Sequence, residues 1–173
     1  TLVGGIDKAF KTGKVTLIKG TGTVVDPHLV RVADPKGAFH EVAGDKLILA
    51  TGSRPQDLPN LSFDGKNILS SDDVLKLKSM PRKIIVLGGG VIGAEFAFIF
   101  KQFGAEVTVV EAMDRLIPMP NVDVDMSKTL LREMKKERIT VHLKTTLSDF
   151  QPAPDGGGTA SLAPSPFYEQ ATP

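Results

Sequence analysis

The chain contains no cysteine, no tryptophan and a single tyrosine. Without cysteine, these 173 residues hold no disulfide, no thiolate metal site, no thiol nucleophile and no dithiol redox centre. An excess of charge of either sign is also missing, because 21 Lys and Arg stand against 20 Asp and Glu for a formal net charge of +1. That balance leaves no large basic field for phosphates or anionic lipid, so neither nucleic acid nor a membrane is expected as a partner. No apolar run reaches the roughly 18 residues that span a bilayer, and the chain does not open on a basic segment followed by an apolar core. The expected location is cytoplasmic, or the mitochondrial matrix in a eukaryote. The first residue is Thr1 rather than Met, which reads as a processed or partial product.

What is present suits a globular fold, with 41% hydrophobic residues in a length that holds one core or two small ones. Residues 14–18 (KVTLI), 29–32 (LVRV) and 39–42 (FHEV) are rich in β-branched or aromatic side chains. Turn signals at Asp26-Pro27 and Asp34-Pro35-Lys36-Gly37 separate them, which predicts an antiparallel meander. Residues 46–50 (KLILA) form an apolar run without alternation, the pattern of a strand covered on both faces, and it stops at Thr51-Gly52. From 54 to 66 the prolines, Asn60, Asp64 and Gly65 predict an aperiodic loop, the natural domain junction. Ser70, with Asp73 three positions on, predicts a capping box opening a short helix through Leu77.

The second stretch alternates strand and helix. Residues 83–87 (KIIVL) read as a buried strand; after a run of glycines, Ile92, Phe96, Ile99, Phe100 and Phe103 fall on one helical face that Gly104 ends. Residues 106–111 (EVTVVE) are strand again, and so short a crossover predicts a right-handed βαβ unit with parallel strands. Met126, Leu130 and Met134 mark another helix, and 139–143 (ITVHL) another strand. No internal repeat is present. Asp155-Gly156-Gly157-Gly158 suits a hairpin turn, and from Pro164 onward the composition predicts a disordered tail.

Chemistry concentrates at Gly88-Gly89-Gly90-Val91-Ile92-Gly93, a G-x-G-x-x-G set where a buried strand meets an amphipathic helix. In such a loop Gly88 permits the tight turn, Gly90 lets the backbone approach a pyrophosphate, and Gly93 allows close helix–strand packing. The pyrophosphate would rest on the unpaired N–H groups of the helix N-terminus. Glu111 ends the second strand where a carboxylate accepts hydrogen bonds from an adenosine ribose, and there it repels a 2′-phosphate, which favours NAD over NADP. Arg115 is read as a solvated charge paired with Glu111 or Asp114. Glu95 is either a first-turn acid favoured by the helix dipole or a site residue, with neither reading preferred.

These residues resemble the class I pyridine nucleotide-disulfide oxidoreductases, most nearly the dihydrolipoamide-oxidising branch. The likeness rests on Lys19-Gly20-Thr21-Gly22-Thr23, on residues 49–55 (LATGSRP), on 68–74 (ILSSDDV) and on 81–115, and it extends to about Leu162. It implies an α/β chain of FAD/NAD(P)-binding Rossmann-like domains, with a parallel sheet and an antiparallel β-meander, both incomplete. Residues 1–56 would be the C-terminal part of an FAD-binding domain, 57–80 a linker with a short helix, 81–163 a truncated NAD-binding domain and 164–173 the tail. Gly22, Thr51, Gly52 and Ser53 would contact FAD. Gly88, Gly89, Gly90, Val91, Ile92, Gly93 and Glu111 would hold NAD, with Val91, Ile92 and Glu95 toward the nicotinamide. The parent protein would be a homodimer oxidising a dithiol, either a small molecule or a lipoyl domain, with electrons passing through an enzyme disulfide and flavin to NAD.

The departures are equally specific. Neither the family's first glycine fingerprint and redox cysteine pair nor its His-Glu acid/base pair is found in this chain, so turnover by the chain alone is not expected and no residue is assigned a catalytic role. His28, His40 and His142 match no catalytic motif and are read as structural. Arg138 stands where family members often have a helix-ending glycine. Without neighbouring strands, the 46–50 run would expose apolar surface, which predicts a loosely folded, aggregation-prone or self-paired N-terminal part. A non-enzymatic NAD-binding module, or an inactive truncated product, are the other readings.

Overall fold

The computed structural model describes residues 2–58, 61–154 and 156–170. Two compact units follow one another along the chain, Thr1–Ser53 and Arg54–Pro173. In the first, helix α1 (Leu2–Thr12) precedes strands β1 (Thr21–Asp26), β2 (Leu29–Ala33) and β3 (Phe39–Ala43), paired antiparallel in the order β1-β2-β3. At the second turn of this meander, the Asp34 carboxylate accepts the N–H groups of Lys36 and Ala38. Those bonds, that of Ala38 first, hold its pKa below the usual carboxylate value.

The strand expected at 14–18 does not form. Lys14 takes the left-handed conformation (φ 54°), and Val15 N–H donates to the Phe10 carbonyl, so the stretch closes α1 in a Schellman turn. The third strand of the meander is instead β1, hidden in the sequence by Gly20 and Gly22. The run at 46–50 forms no strand either: Ile48 and Leu49 are 87% and 70% exposed. A run patterned for burial on both faces needs parallel neighbours, and no strand of the described residues pairs with it. Val32 alone among the described residues of this unit is a buried hydrophobic.

The second unit opens on a turn in which Asp64 accepts the N–H groups of Lys66, Asn67 and Ile68. Pro59 and Asn60 of the expected loop lie outside the described residues. Helix α2 (Ser71–Val74) follows with both halves of its capping box made: Ser70 Oγ accepts Asp73 N–H, and Asp73 Oδ2 accepts Ser70 N–H. The helix stops short of Leu77.

Strands β4 (Lys83–Leu87), β5 (Glu106–Val110) and β6 (Thr140–His142) then form a parallel sheet in that order, joined by α3 (Val91–Gln102) and α4 (Val124–Lys136). Right-handed crossovers that advance in one direction put both helices on one sheet face. Burial agrees, since Val107 and Val109 are fully covered while Ile85 and Leu87, on the opposite face, are about 40% exposed. The core cluster joins Ala94, Ala97 and Phe100 of α3 to Val107, Val109, Leu116, Met134 and Ile139. Each large side chain so covered contributes roughly 1.5–3 kcal/mol of transfer free energy.

Of the face expected on α3, Phe100 is buried and Phe96 packs against the core, but the rest is not covered. Ile92, Ile99 and Phe103 are 60%, 47% and 69% exposed, and the helix meets the sheet through Ala94, Ala97 and Phe100, with Gly93 beside them. Small residues there let the helix axis lie close to the strands, so Ile92 and Ile99 point outward while Phe100 is buried. On α4, Met134 is fully buried and Met126 is 65% exposed.

Beyond β6 the chain forms the hairpin of β7 (Thr145–Pro152) and β8 (Gly158–Pro164). Its turn is held by Gly157 N–H donating to Asn67 Oδ1; Asp155 lies outside the described residues. The disorder expected from Pro164 onward is overturned through residue 170, because Pro166–Gln170 is a short helix, α5. Proline suits a first helical position, and the preceding Ser165 is 2% exposed with its N–H on the Lys144 carbonyl. Residues 171–173, also assigned to the tail, lie outside the described residues.

Helices α3 and α4 end in the same Schellman geometry. Gly104 N–H reaches the Lys101 carbonyl and Ala105 N–H the Phe100 carbonyl; Arg138 and Ile139 repeat the pattern on Lys135 and Met134. Gly104 has φ 89° at no steric cost, whereas Arg138 adopts φ 58° with a Cβ. Arg138→Gly should therefore stabilise the chain by about 1 kcal/mol. Thermal or urea unfolding measures it, and an unchanged or lowered midpoint would contradict the assignment.

Candidate functional site

At the carboxyl edge of the parallel sheet, β4 runs into the glycine loop and then α3. Gly88 makes the turn with φ 102°, and its N–H donates to the Val110 carbonyl at 2.8 Å. Gly90 is the N-cap of the 12-residue α3 and offers no side-chain cap, so the first-turn N–H groups lack a side-chain acceptor. A Cβ on Gly93 would collide with the Gly88 carbonyl oxygen and press on Val86, so that glycine is demanded by helix–strand packing. A Cβ on Gly89 would stand 2.5 Å from Leu116 Cδ2 and 3.2 Å from Glu111 Oε2. Gly90 differs, with nothing within 4 Å of its Cβ position. The fold therefore requires Gly93 and Gly89, while the space before Gly90 stays open at a positive helix end, which fits a pyrophosphate.

Glu111 follows β5 and is 6% exposed. Its Oε2 accepts the Gly89 N–H at 2.6 Å and its Oε1 accepts the Met113 N–H at 2.8 Å. Its own N–H donates to the His142 carbonyl, and its carbonyl accepts the Thr145 N–H. The carboxylate thus ties the end of β5 to the glycine loop with charge-assisted bonds. Each of its oxygens keeps further acceptor capacity, which suits ribose hydroxyls. Ile117 N–H donates to the Gly89 carbonyl, fastening the loop from the other side.

This clamp escapes sequence reasoning, because the fingerprint treats Gly89 as a free position and Glu111 as a ligand group only. Arg115 departs from its expected role as well. It pairs with neither Glu111 nor Asp114; its guanidinium donates to the carbonyls of Val122 and Met119 and to Ser127 Oγ, fixing the loop that leads into α4. Glu95 is the fifth residue of α3, beyond its first turn, and is exposed, so the dipole reading does not hold. Val91 and Ile92 are exposed at the start of the helix, next to the open glycine.

The residues expected to face flavin lie in the first unit. Gly22 pairs with Val32 across β1 and β2, whereas Thr51, Gly52 and Ser53 are exposed outside any strand or helix. Among the described residues, no hydrogen bond joins the two groups. His28, in the first meander turn, has Nδ1 3.1 Å from the Gly44 carbonyl oxygen; His40, within β3, has Nε2 3.3 Å from Asp34 Oδ2; His142 ends β6.

The profile of a family described as pyridine nucleotide-disulphide oxidoreductase matches residues 1–163. A dihydrolipoamide dehydrogenase of Chaetomium thermophilum is 39% identical over 90% of this chain and 31% of its own length. The mitochondrial dihydrolipoyl dehydrogenase of Dictyostelium discoideum is 35% identical over 93% of this chain and 33% of its own. The chain therefore spans about a third of the length of these relatives. Among solved structures, LpdA from Mycobacterium tuberculosis superposes with a TM-score of 0.77 at 25% identity, covering 91% of this chain and 37% of that one. A water-forming NADH oxidase from Lactobacillus brevis, solved with NADH bound, shares the fold at a TM-score of 0.62 and 24% identity, over 84% of this chain and 35% of its own.

The open space before Gly90 separates a ligand's requirement from a folding one. Gly90→Val should abolish dinucleotide binding while circular dichroism and the unfolding midpoint stay near those of the unmodified chain. Gly93→Val should lose both together. If Gly90→Val also unfolds the chain, this glycine serves the backbone and not a ligand.

Proposed function

The chain belongs to the pyridine nucleotide-disulphide oxidoreductase family, and from that premise we propose that it supplies the NAD cradle and part of the flavin wall of a dihydrolipoamide dehydrogenase-like flavoprotein. The observation that carries this reading is the pairing of an open Gly90 with a buried Glu111 at one edge of a parallel sheet. When bound, NAD and FAD supply the hydride chemistry, and the protein's part is to hold and orient them. The N–H groups of Gly90, Val91 and Ile92 would receive the pyrophosphate, and the remaining lone pairs of Glu111 would accept the ribose hydroxyls. Val91 and Ile92 would border the nicotinamide half, with Glu95 one turn on as a polar contact for its carboxamide.

On the flavin side, Gly22, Thr51, Gly52 and Ser53 would line one wall, and Gly52, with φ 81°, gives the turn its backbone freedom. The domain assignment that goes with this is residues 1–56 to flavin, 57–80 to a connection and 81–163 to NAD. In the parent, a dithiol such as dihydrolipoamide or a lipoyl domain is the substrate and a homodimer the assembly. This chain holds no cysteine for the dithiol step, so its contribution is cofactor binding.

A carboxylate fixed beside the ribose sets the sign of cofactor preference. Calorimetric titration of the chain should give NADH binding about tenfold tighter than NADPH, the equivalent of ~1.4 kcal/mol. Equal or tighter NADPH binding would remove Glu111 from the ribose site.

A further inference from the structure

NAD and NADP differ by a 2′-phosphate next to the carboxylate that ends the second strand, so the cations within reach of Glu111 govern the choice between them. Arg115 is already committed to three acceptors in the loop before α4. Lys144 is a second basic residue fastened to this edge. Its N–H donates to the Met113 carbonyl at 2.8 Å, and the N–H of the next residue, Thr145, donates to the Glu111 carbonyl at 3.0 Å. Its backbone is held in the left-handed region, with φ 53°.

The ammonium, however, is held by an aromatic ring. Lys144 Nζ lies 4.1 Å from the centroid of the Tyr168 ring. Its bond to the phenol, with the charge of Asp114 adding, raises its pKa above the ordinary lysine value. Tyr168 is carried by α5, whose first turn is pinned by Ser165 N–H on the Lys144 carbonyl at 2.9 Å, so the lysine is gripped at its backbone and at its tip. Helix α5 lies beyond residue 163, where the family match ends.

We propose that Lys144 and Tyr168 set the nucleotide preference of this cleft, with Tyr168 withholding from a 2′-phosphate a cation able to offset its repulsion by Glu111; this rests on the dinucleotide site proposed above. With the ammonium on the ring, Glu111 alone decides and NADH is favoured. Released, Lys144 reaches the phosphate and the preference narrows.

Four forms of the chain test it by calorimetry with NADH and NADPH: unmodified, Tyr168→Leu, Lys144→Met and the double variant. Tyr168→Leu should tighten NADPH binding about two- to fivefold, the range set by the lost cation–π contact, and leave NADH unchanged. Lys144→Met alone should leave NADPH unchanged, and added to Tyr168→Leu it should cancel the gain. The two Tyr168 variants share any loosening of α5, so their difference isolates the ammonium. An NADPH-to-NADH ratio that Tyr168→Leu does not move, or a gain that survives Lys144→Met, overturns the inference alone. Failure of the unmodified chain to bind either nucleotide removes the site reading and this inference with it.

Discussion

The second unit depends on one contact, the Glu111 carboxylate against the amides of Gly89 and Met113. It is a buried charge, and a buried charge is tolerated only where donors replace water. Both of its oxygens have such donors, at 2.6 and 2.8 Å. The contact draws the glycine loop onto the end of β5, where Leu116 first and Glu111 next crowd any side chain at Gly89. With Gly93 packed against the Gly88 carbonyl, the loop is fixed from both ends before any ligand arrives, and only the face at Gly90 stays free. A ligand that meets a preformed loop is spared the ordering entropy that binding otherwise costs.

Around that contact the chain is unevenly built. Unit Arg54–Pro173 has a contiguous core in which alanines and valines bring α3 onto the sheet. Unit Thr1–Ser53 has a complete meander by backbone pairing, yet Val24, Phe39, Ile48 and Leu49 remain 48–87% exposed. Strand pairing satisfies N–H and C=O groups but buries little unless a second layer covers a face. Apolar side chains exposed to this degree mark a surface suited to further protein. That agrees with a chain that spans about a third of its relatives' length.

Sequence alone made the central elements legible because several local signals agreed there. The run 83–87, the glycine set, the end of α3 before Gly104 and the strand leading to Glu111 all specify one βαβ unit, and all four are found, with the strand closing at Val110. The Ser70–Asp73 capping box and the hairpin at 156–158 were readable for the same reason. Misreadings arose where one pattern fitted two structures. Residues 14–18 are apolar and β-branched, but Lys14 closes a helix in the left-handed region without the glycine that normally signals it. On α3, Ile92, Ile99 and Phe103 lie outward because close approach to the sheet selects small residues beside Phe100. Helix α5 was invisible to composition: its Pro166 and the preceding Ser165 read as disorder, and it is held by long-range contacts to Lys144. At the site, the ligand-facing residues could be named from the motif, but the self-binding of Glu111 and the commitment of Arg115 depend on distances that no spacing encodes.

The account's central claim is that the glycine loop and Glu111 form one preformed dinucleotide cradle. Amide chemical-shift mapping of the isotopically labelled chain during titration with NADH tests it most directly. The account predicts saturable shifts concentrated at residues 88–93 and 111–114, largest at the amides of Gly90 and Val91, with the Gly89 amide remaining bonded to Glu111. Shifts spread over the basic face of α4 around Lys128, Arg132 and Lys135, or no saturable shift in the glycine loop, would contradict it.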